Sequence, residues 1–322
     1  MAEIGRDIDR AAVLLASGKV VAIPTETVYG LAGNAYNVNG ISRIFEVKDR
    51  PSFNPLIVHT NSLGKISNFV KEIPQVAIDL ADALWPGPLT LLLQRNEIIP
   101  DLVTAGSPLV AVRIPNHPLT LDLLSAIEFP LAAPSANPFG YISPTNAQHV
   151  QEQLGDKIPY ILDGGPCAIG IESTIIGFDE LGQAQVYRFG GTPLEEIEAI
   201  VGPLNMNLNA ARKPQAPGML KSHYAPNTQL IVCDIAATIP RMNASKTGVL
   251  SFNKMYEGIP AQNQRILSIN EDLHEAAHEL FATMRELDNM GLQIILTEEV
   301  PDIGLGKAIN DRLRRAAETR IL

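Results

Sequence analysis

Apolar residues recur at helical spacing in several stretches of the first half of the chain. Residues 6–17 show the pattern well, because Ile8, Ala11 and Leu15 lie three or four positions apart and Gly18 follows as a residue that ends helices. Such spacing places apolar side chains on one face, so each stretch predicts an amphipathic helix that packs on a core. Further helices of this kind are predicted at 37–47, 74–85, 117–127 and 145–154.

Short apolar runs of strand length lie between the predicted helices. The first, 19–23, is typical of a buried strand that Pro24 ends. Since helices and strands mix along the chain without a regular strand–helix–strand alternation, we expect an α/β fold with a mixed rather than a purely parallel sheet. Further strands are predicted at 56–59, 89–93, 109–113, 130–133, 159–162, 173–178 and 184–188.

A polar stretch divides the chain near residue 205. Residues 205–218 are punctuated by proline and glycine, which is typical of a linker. The sequence therefore predicts a first domain at 1–205, a linker at 206–228 and a small α/β domain at 229–322. In that last region strands are predicted at 230–233, 248–252 and 291–297, and helices at 271–290 and 305–319.

Composition and charge argue against several classes of protein, among them duplex nucleic-acid binders and membrane proteins. The 322 residues carry a formal net charge of −10, which argues against a broad basic surface for duplex nucleic acid. The two cysteines, Cys167 and Cys233, lack metal-ligand spacing and favour a reducing compartment. No signal peptide is visible at the N-terminus, and no apolar run approaches the ~20 residues of a membrane span. We therefore expect a cytoplasmic protein without a membrane partner.

Several polar turns directly follow predicted strands, where α/β proteins bind ligands. Pro24–Leu31, with two hydroxyls and a carboxylate, follows the strand at 19–23, although taken alone it also fits a purely structural turn. Lys48 and Arg50 lie two positions apart before Pro51. In an extended segment both cations would project the same way and could grip a phosphate, whereas a solvated loop is the ordinary alternative.

Arg113 interrupts an otherwise apolar strand. A cation buried there needs an acidic partner or an anionic ligand, because burying it alone is costly. A structural salt bridge and a grip on a substrate carboxylate are therefore both open. Further polar turns at strand ends lie at 132–138, 143–145, 170–176 and 187–190.

Common catalytic motifs are missing from the sequence. It has no Gly-x4-Gly-Lys-Ser/Thr P-loop, no Gly-x-Gly-x-x-Gly after a strand and no Gly-x-Ser-x-Gly elbow, and the six histidines lack convincing zinc spacing. Residues 1–213 nevertheless carry 14 basic and 22 acidic side chains, so cations clustered at strand ends in this acidic region need a specific reason. Together the turns indicate one cleft for an anionic ligand.

Taken in order, the motifs PTETVYGL, KDRPSFNPLIVH, VAVRIP, APSAN, ESTII and VYRFG resemble the Sua5/YrdC family. Ala216–Pro226 resembles the linker signature of its two-domain, Sua5-type members, so the resemblance covers about residues 5–320. It implies a twisted mixed-sheet domain with a concave, positively lined cavity, followed by a small Rossmann-like α/β domain. It also implies synthesis of threonylcarbamoyl-AMP from L-threonine, bicarbonate or CO2 and ATP, for the threonylcarbamoyl modification of tRNA beside the anticodon.

The family's site residues carry over to matching positions of this chain. The resemblance implies that Lys48 and Arg50 act in catalysis, that Tyr224 closes over the nucleotide, and that Mg²⁺ is held mainly by phosphates and water rather than by protein side chains. Residues similar to the threonine-binding set are Thr27, His59, Arg113, Ala133 and Ser173. Residues similar to the ATP-binding set are Lys48, Arg50, Asn54, Ser135, Asn137, Ser143, Arg188 and Tyr224.

The family context also implies a partner, namely transient contact with a threonylcarbamoyl transferase of the Kae1/TsaD type. Other functions stay open on the sequence. One is an RNA-binding module that uses the concave surface, which the net charge disfavours. Another is a different ATP-dependent carbamoyl chemistry, found in relatives fused to hydrogenase-maturation domains, whose zinc-finger-like cysteines this chain lacks. A regulatory protein with a decayed site is the third, and the full set of polar turns argues against it.

Overall fold

The computed structural model describes residues 1–208, 216–217 and 223–317. Within them the chain forms two compact units. The predicted linker, 206–228, includes residues 209–215 and 218–222, which lie outside the described residues, so the predicted domain boundaries stay a prediction. Among the described residues, no helix is both long enough and apolar enough to cross a membrane.

The first unit combines Met1–Phe139, Pro144–Ala168 and the described part of Glu172–Leu220. Its strands are, in chain order, β1 (Glu3–Gly5), β2 (Val21–Ile23), β3 (Gly30–Asn34), β4 (Ile57–His59), β5 (Leu89–Gln94), β6 (Leu109–Arg113), β7 (Leu131–Ala132), β8 (Tyr160–Leu162), β9 (Thr174–Phe178), β10 (Ala184–Arg188) and β11 (Asn205–Met206). Its described helices are α1 (Ile8–Ala16), α2 (Val38–Lys48), α3 (Leu63–Ile66), α4 (Gln75–Leu84), α5 (Asp101–Thr104), α6 (Pro118–Ser125), α7 (Ala147–Leu154) and α8 (Leu194–Val201).

Within the described residues these strands form one sheet in the order β1-β8-β2-β3-β7-β4-β6-β5-β9-β10-β11. Parallel and antiparallel neighbours alternate irregularly: β4 runs parallel to β6, for example, whereas β7 runs antiparallel to β4. The expectation of a mixed α/β sheet is thus confirmed. Because β4 and β6 are parallel and in register, His59 lies directly opposite Arg113 at the carboxyl ends of both strands.

Both faces of this sheet carry apolar cores, as the strand periodicity requires. On β2, Val21 and Ile23 pack in a cluster with α1 and α6, whereas Ala22 between them joins a larger cluster with α2, α4, α7 and α8. The helix starts follow from local capping: the Asp7 carboxylate accepts the Arg10 N–H at 2.9 Å at the start of α1. These helices and strands hold the polar strand ends in fixed positions.

The second unit combines Gly140–Ser143, Ile169–Ile171 and the described part of Lys221–Leu322. Its four-stranded sheet is parallel at each pairing that the structure describes and has the order β12-β15-β13-β14, which confirms a small parallel α/β module. The elements are β12 (Gln229–Val232), α9 (Ile235–Thr238), β13 (Thr247–Ser251), β14 (Gln264–Ile266), α10 (Leu273–Asp288), β15 (Ile294–Thr297) and α11 (Gly306–Ala317). Short 3-10 helices lie at Ile239–Arg241, Ala244–Lys246 and Ala261–Asn263.

The sequence pattern missed several elements. Gly30 and Leu31 were expected to continue a polar turn, but they begin β3, whose sequence Gly-Leu-Ala-Gly-Asn lacks the β-branched residues that mark strands. β14 and α8 were also not predicted. These elements depend on neighbours that are distant in sequence, since β3 pairs with β2 and β7 on its two edges.

Candidate active site

Side-chain alternation places two candidate residues on one face of the first unit's sheet. On β6, Val112 packs into the cluster that includes α2, whereas Ala111 lies in a separate cluster on the opposite face. Arg113 shares the face of Ala111 because strand side chains alternate. The in-register pairing of β4 with β6 puts His59 on that same face.

The loop between β2 and β3 is closed by its own hydroxyl groups. Thr25 Oγ1 lies 2.8 Å from Thr27 Oγ1 and donates to the carbonyl of Val28 at 2.6 Å. The backbone N–H groups of Thr27 and Val28 donate back to Thr25 Oγ1 at 3.2 Å. This turn buries both threonines and fixes Thr27 Oγ1, which accepts a hydrogen bond from Arg113 Nη1 at 2.9 Å.

Arg113 has the acidic partner that its burial requires. Its Nη2 lies 2.7 Å from Glu26 Oε1, and its Nε donates to the carbonyl of Gly87 at 3.1 Å. Both charged side chains are buried, at 4% and 7% exposure, so the pair is shielded from water. We call Glu26, Thr27, His59 and Arg113 the Arg113 cluster.

His59 is held neutral. Its imidazole is buried, and burial together with the nearby Arg113 charge lowers the pKa of His59 from 6.5 to about 3. A neutral imidazole offers one N–H donor and one acceptor nitrogen, so His59 suits a hydroxyl or amine ligand better than an anion.

Lys48 differs from the sequence expectation. Lys48 and Arg50 would project the same way if their segment were extended, but Lys48 is the last residue of α2 and Asp49 adopts a left-handed conformation at φ 52°. Lys48 Nζ donates to the carbonyls of Ser135 and Asn137 at 2.5 Å each. The helix end and these two carbonyls, rather than an extended strand, set the direction of the ammonium.

The Lys48 ammonium lies in an unfavourable environment for a positive charge. Its side chain is buried, and this burial together with the neighbouring charge of Arg50 holds the pKa of Lys48 well below its ordinary value. The carboxylate of Glu172 acts in the opposite direction. An anionic ligand beside Lys48 would therefore stabilise its charged form.

Arg50 is fixed by backbone carbonyls. Its Nε donates to the carbonyl of Asn54 at 3.3 Å and its Nη2 to that of Pro55 at 2.8 Å. Asn54 is fully buried, and within the described part of the chain neither atom of its side-chain amide has a hydrogen-bond partner. Since buried polar groups are normally paired, the side-chain amide of Asn54 is suited to hydrogen-bond a ligand. We call Lys48, Arg50, Asn54 and Glu172 the Lys48 cluster.

Arg188 anchors the turn at the start of β9. Its Nη2 donates to the carbonyl and the hydroxyl of Ser173 at 2.9 and 3.1 Å. Ser173 Oγ also lies 2.7 Å from Thr90 Oγ1 on β5. Gly190 makes this packing possible, because a Cβ there would lie 2.2 Å from the carbonyl carbon of Ser173.

The turn after β7 contributes through its backbone. Ser135 forms an isolated bridge with Gly30, and its carbonyl is one of the two that accept from Lys48. The Ala133 N–H donates to the carbonyl of Ile57 at 2.9 Å, so the carbonyl of Ala133 is the backbone group left for the predicted ligand contact.

The charged side chains that the described part of the first unit buries all lie in segments singled out from the sequence. Among the described residues of that unit, four buried cations stand against two buried carboxylates, an excess of two positive charges in a chain whose net charge is −10. These side chains are Glu26, Lys48, Arg50, Arg113, Glu172 and Arg188.

Two predicted ATP-side residues belong to the second unit. Ser143 ends its segment Gly140–Ser143, and Tyr224 is buried there with its ring centroid 5.5 Å from that of Phe281. The Tyr224 backbone has φ 66°, a strained region for a bulky residue. The other predicted site residues lie in the first unit.

Three residues of the site had no role in the sequence interpretation. Glu26 and Glu172 lay within recognised motifs, but nothing in the sequence pairs Glu26 with Arg113 or brings Glu172 near Lys48. Thr90 carried one usable signal, a hydroxyl inside the apolar run Leu89–Leu93.

The first unit thus combines a mixed α/β sheet with buried cations at the ends of strands and of α2, an arrangement that suits an anionic ligand. The family model described as "Telomere recombination" (Sua5/YciO/YrdC) matches residues 13–190, and the model for the "Threonylcarbamoyl-AMP synthase, C-terminal domain" matches residues 192–318. The chain belongs to the Sua5/YciO/YrdC family.

Relatives match nearly the whole chain. A threonylcarbamoyl-AMP synthase of Pyrococcus abyssi is 41% identical over 97% of this chain and 94% of its own length. One of Bacillus subtilis is 38% identical over 98% and 94%. The crystal structure of P. abyssi Sua5 complexed with L-threonine has a TM-score of 0.91 at 39% identity, covering 98% of this chain and 97% of that one.

Proposed function

We propose that this chain is a threonylcarbamoyl-AMP synthase, which converts L-threonine, bicarbonate or CO2 and ATP to threonylcarbamoyl-AMP and pyrophosphate. The observation that carries the proposal is the excess of two buried positive charges in the first unit. Nucleotidyl transfer brings a carboxylate against a polyphosphate, and preplaced cations lower that electrostatic barrier. The relatives named above carry the same activity in their names.

The Arg113 cluster suits the amino acid. In the proposal the guanidinium of Arg113 holds the threonine carboxylate, while Glu26 and the Thr27 hydroxyl fix its orientation. The neutral His59 and the Ser173 hydroxyl are suited to hydrogen bonds with uncharged groups of the substrate. A planar guanidinium can hold a carboxylate through two hydrogen bonds, which also gives geometric selectivity.

The Lys48 cluster suits the triphosphate. The threonine amine attacks CO2 and loses a proton, which gives an N-carboxylate; that carboxylate oxygen then attacks the α-phosphorus, and the bond to the β-phosphate oxygen breaks as pyrophosphate leaves. Lys48 and Arg50 stabilise the charge that accumulates on the phosphates, and Arg188 is a third donor. In return the phosphates provide the counter-charge that burial denies to the Lys48 ammonium.

We also propose that Mg²⁺ enters with ATP. The donors of the Lys48 cluster are mainly cationic, and within the described residues no group of three or more His, Cys, Asp or Glu side chains is placed to hold a metal. This donor set suits an ion bound by phosphate oxygens and water, as Mg²⁺ commonly is at nucleotide sites. When bound, the ion would neutralise phosphate charge.

Tyr224 is proposed to close over the nucleotide as part of a linker that opens for exchange. Residues 218–222 of the predicted linker signature lie outside the described residues, so a point variant is the suitable test. Tyr224→Ala should lower turnover by more than it lowers the stability of the first unit. Unchanged product formation would contradict the closing role.

The product is a mixed anhydride that water destroys, so a nearby acceptor is required. We propose delivery to a transferase of the Kae1/TsaD type that modifies tRNA in the cytoplasm. Co-sedimentation of the purified chain with such a transferase during turnover tests this step. Full hydrolysis of the product with the transferase present would argue against it.

The activity itself is tested by incubating the protein with ATP, labelled bicarbonate and L-threonine. Pyrophosphate release should require threonine, and label should enter a nucleotide product. Serine, which lacks only the methyl group, and 2-aminobutyrate, which lacks only the hydroxyl group, serve as matched substrates. Release that is independent of threonine would overturn the proposal.

A further inference from the structure

The second unit includes two short segments from the middle of the chain, Gly140–Ser143 and Ile169–Ile171. The first of them ends at Ser143, a predicted ATP contact, and the second directly precedes Glu172 and Ser173. These two segments, one ending at a predicted site residue and the other directly preceding Glu172 and Ser173, therefore fold as part of the second unit. Residues of α10 contact both of them.

Arg285 on α10 binds the first loop directly. Its buried guanidinium donates through Nη2 to the carbonyl of Ile142 and through Nε to that of Ser143 at 3.3 Å. It also lies 5.1 Å from the ring centroid of Tyr141. A planar fork on two successive carbonyls fixes both peptide planes, and hence the position of Ser143.

Asp288, one turn further along α10, holds the same loop and the start of the C-terminal segment. Its Oδ2 accepts from the Tyr141 hydroxyl at 2.5 Å, and its Oδ1 accepts from the Thr228 N–H at 2.7 Å. The Ala225 N–H donates to the carbonyl of Gly140 at 2.9 Å. Tyr141, two residues before Ser143, and Thr228, four residues after Tyr224, are thus tied to one helix end.

The second loop also touches α10. Gly170 has φ +81°, and a Cβ there would lie 2.5 Å from the carbonyl oxygen of His278. Only glycine allows this approach of loop backbone to helix backbone. One helix therefore contacts both the segment that ends at Ser143 and the segment that directly precedes Glu172.

From these contacts we propose that α10 positions Ser143, with Arg285 and Asp288 as positioning residues that act on ATP use through it. This inference rests on the proposed function. Neither residue needs to touch substrate; each sets the backbone that presents a substrate contact. Small displacements of such contacts cost large factors in rate.

The test compares Arg285→Gln and Arg285→Lys with the full-length wild type, with KM for ATP, KM for threonine and kcat measured for each. Arg285→Gln should raise KM for ATP by about tenfold, since two charge-assisted hydrogen bonds are lost, and leave KM for threonine within about twofold. Arg285→Lys should recover part of the loss, because one donor can still reach a carbonyl. Hydrogen exchange at residues 141–145 should accelerate in Arg285→Gln.

Arg265→Gln is the matched control, since Arg265 also binds α10, through Glu286 at 2.5 Å, but contacts neither loop. It should change neither KM. Tyr141→Phe keeps the ring beside Arg285 and removes the hydroxyl that donates to Asp288, so it tests the idea if Arg285→Gln fails to fold. KM for ATP should then rise about threefold.

Equal changes in both KM values, or lower thermal stability with both KM values unchanged, would overturn the positioning role. So would an Arg285→Lys variant no better than Arg285→Gln. A wild-type protein without threonine-dependent pyrophosphate release overturns the proposed function and the inference with it. An active wild type with an insensitive Arg285 overturns the inference alone.

Discussion

The Arg113 cluster and the Lys48 cluster bury cations in different ways. Arg113 faces a carboxylate, Glu26, at 2.7 Å, so its charge is balanced within the protein. Lys48 and Arg50 donate to the backbone carbonyls described above, whose dipoles satisfy donors without cancelling a full charge. Glu172 offsets part of the Lys48 cluster's charge, which still leaves that cluster positive.

The difference matches the charges of the two proposed ligands. Threonine brings both an ammonium and a carboxylate and is neutral overall, so a balanced ion pair can exchange partners with little net change. ATP brings several negative charges, and a site that keeps its positive charge unbalanced binds it more strongly and stabilises the transition state. The charge balance of each cluster thus agrees with the ligand that we propose for it.

The largest effect is expected at Lys48. Lys48→Ala removes a preplaced positive charge, and threonine-dependent pyrophosphate release should fall by about 10³-fold. Lys157→Ala is the control, because the Lys157 ammonium also binds the end of α2, 3.2 Å from Asp49, but is exposed. A loss below about tenfold for Lys48→Ala, or equal losses in both variants, would show that the Lys48 cluster does not meet the phosphates.

Arg113→Gln should lower kcat/KM for threonine by about 10²-fold, as a bidentate carboxylate contact is lost. It should also cost about 3–5 kcal/mol of stability, because Glu26 remains buried without its partner. Adding Glu26→Gln removes that carboxylate charge, so the double variant should regain stability in urea unfolding but not threonine use. If the double variant recovered both its stability and its use of threonine, the pair of Arg113 and Glu26 would have a purely structural role.

His59 gives a smaller effect that depends on pH. The unfolded imidazole protonates near 6.5 and the folded one near 3, so between these values the unfolded chain binds more protons and acid favours unfolding. Lowering the pH from 7 to 5 should cost about 2 kcal/mol through this group. His59→Asn should remove that part of the dependence in urea unfolding at both pH values. The same dependence in variant and wild type would contradict a neutral, buried His59.

The smallest effect is expected at Thr90. Thr90→Val removes one hydrogen bond to Ser173, worth about 1 kcal/mol, so kcat/KM for threonine should fall about fivefold. Thr104→Val is a control at another buried threonine, whose hydroxyl makes only a 3.5 Å contact with the Asp101 carbonyl. Equal effects in both variants would remove Ser173 from the threonine site.

The sequence predicted elements whose apolar pattern is local. The strand at 109–113 was predicted with its observed bounds, and α1 and α2 were placed within two residues of theirs. β3 was missed because its glycines carry no strand signal and its stability comes from pairing with β2 and β7.

Candidate site residues were proposed from ordered motifs, whereas the partners that they contact in the fold were not predicted. Arg113 and Glu26 are far apart in sequence, and only the folded sheet brings them to 2.7 Å. The direction of Lys48 was not predicted for a related reason: its ammonium binds the carbonyls of Ser135 and Asn137, which are distant in sequence.

The chain passes between the two units four times before residue 173, because Gly140–Ser143 and Ile169–Ile171 fold with the C-terminal unit. Swapping the C-terminal part with that of a relative at one point in the linker would therefore separate α10 from the loops it fits. A functional chimera would need all three segments of the second unit to be exchanged together. Among relatives, substitutions on α10 should be accompanied by substitutions in Gly140–Ser143 and Ile169–Ile171.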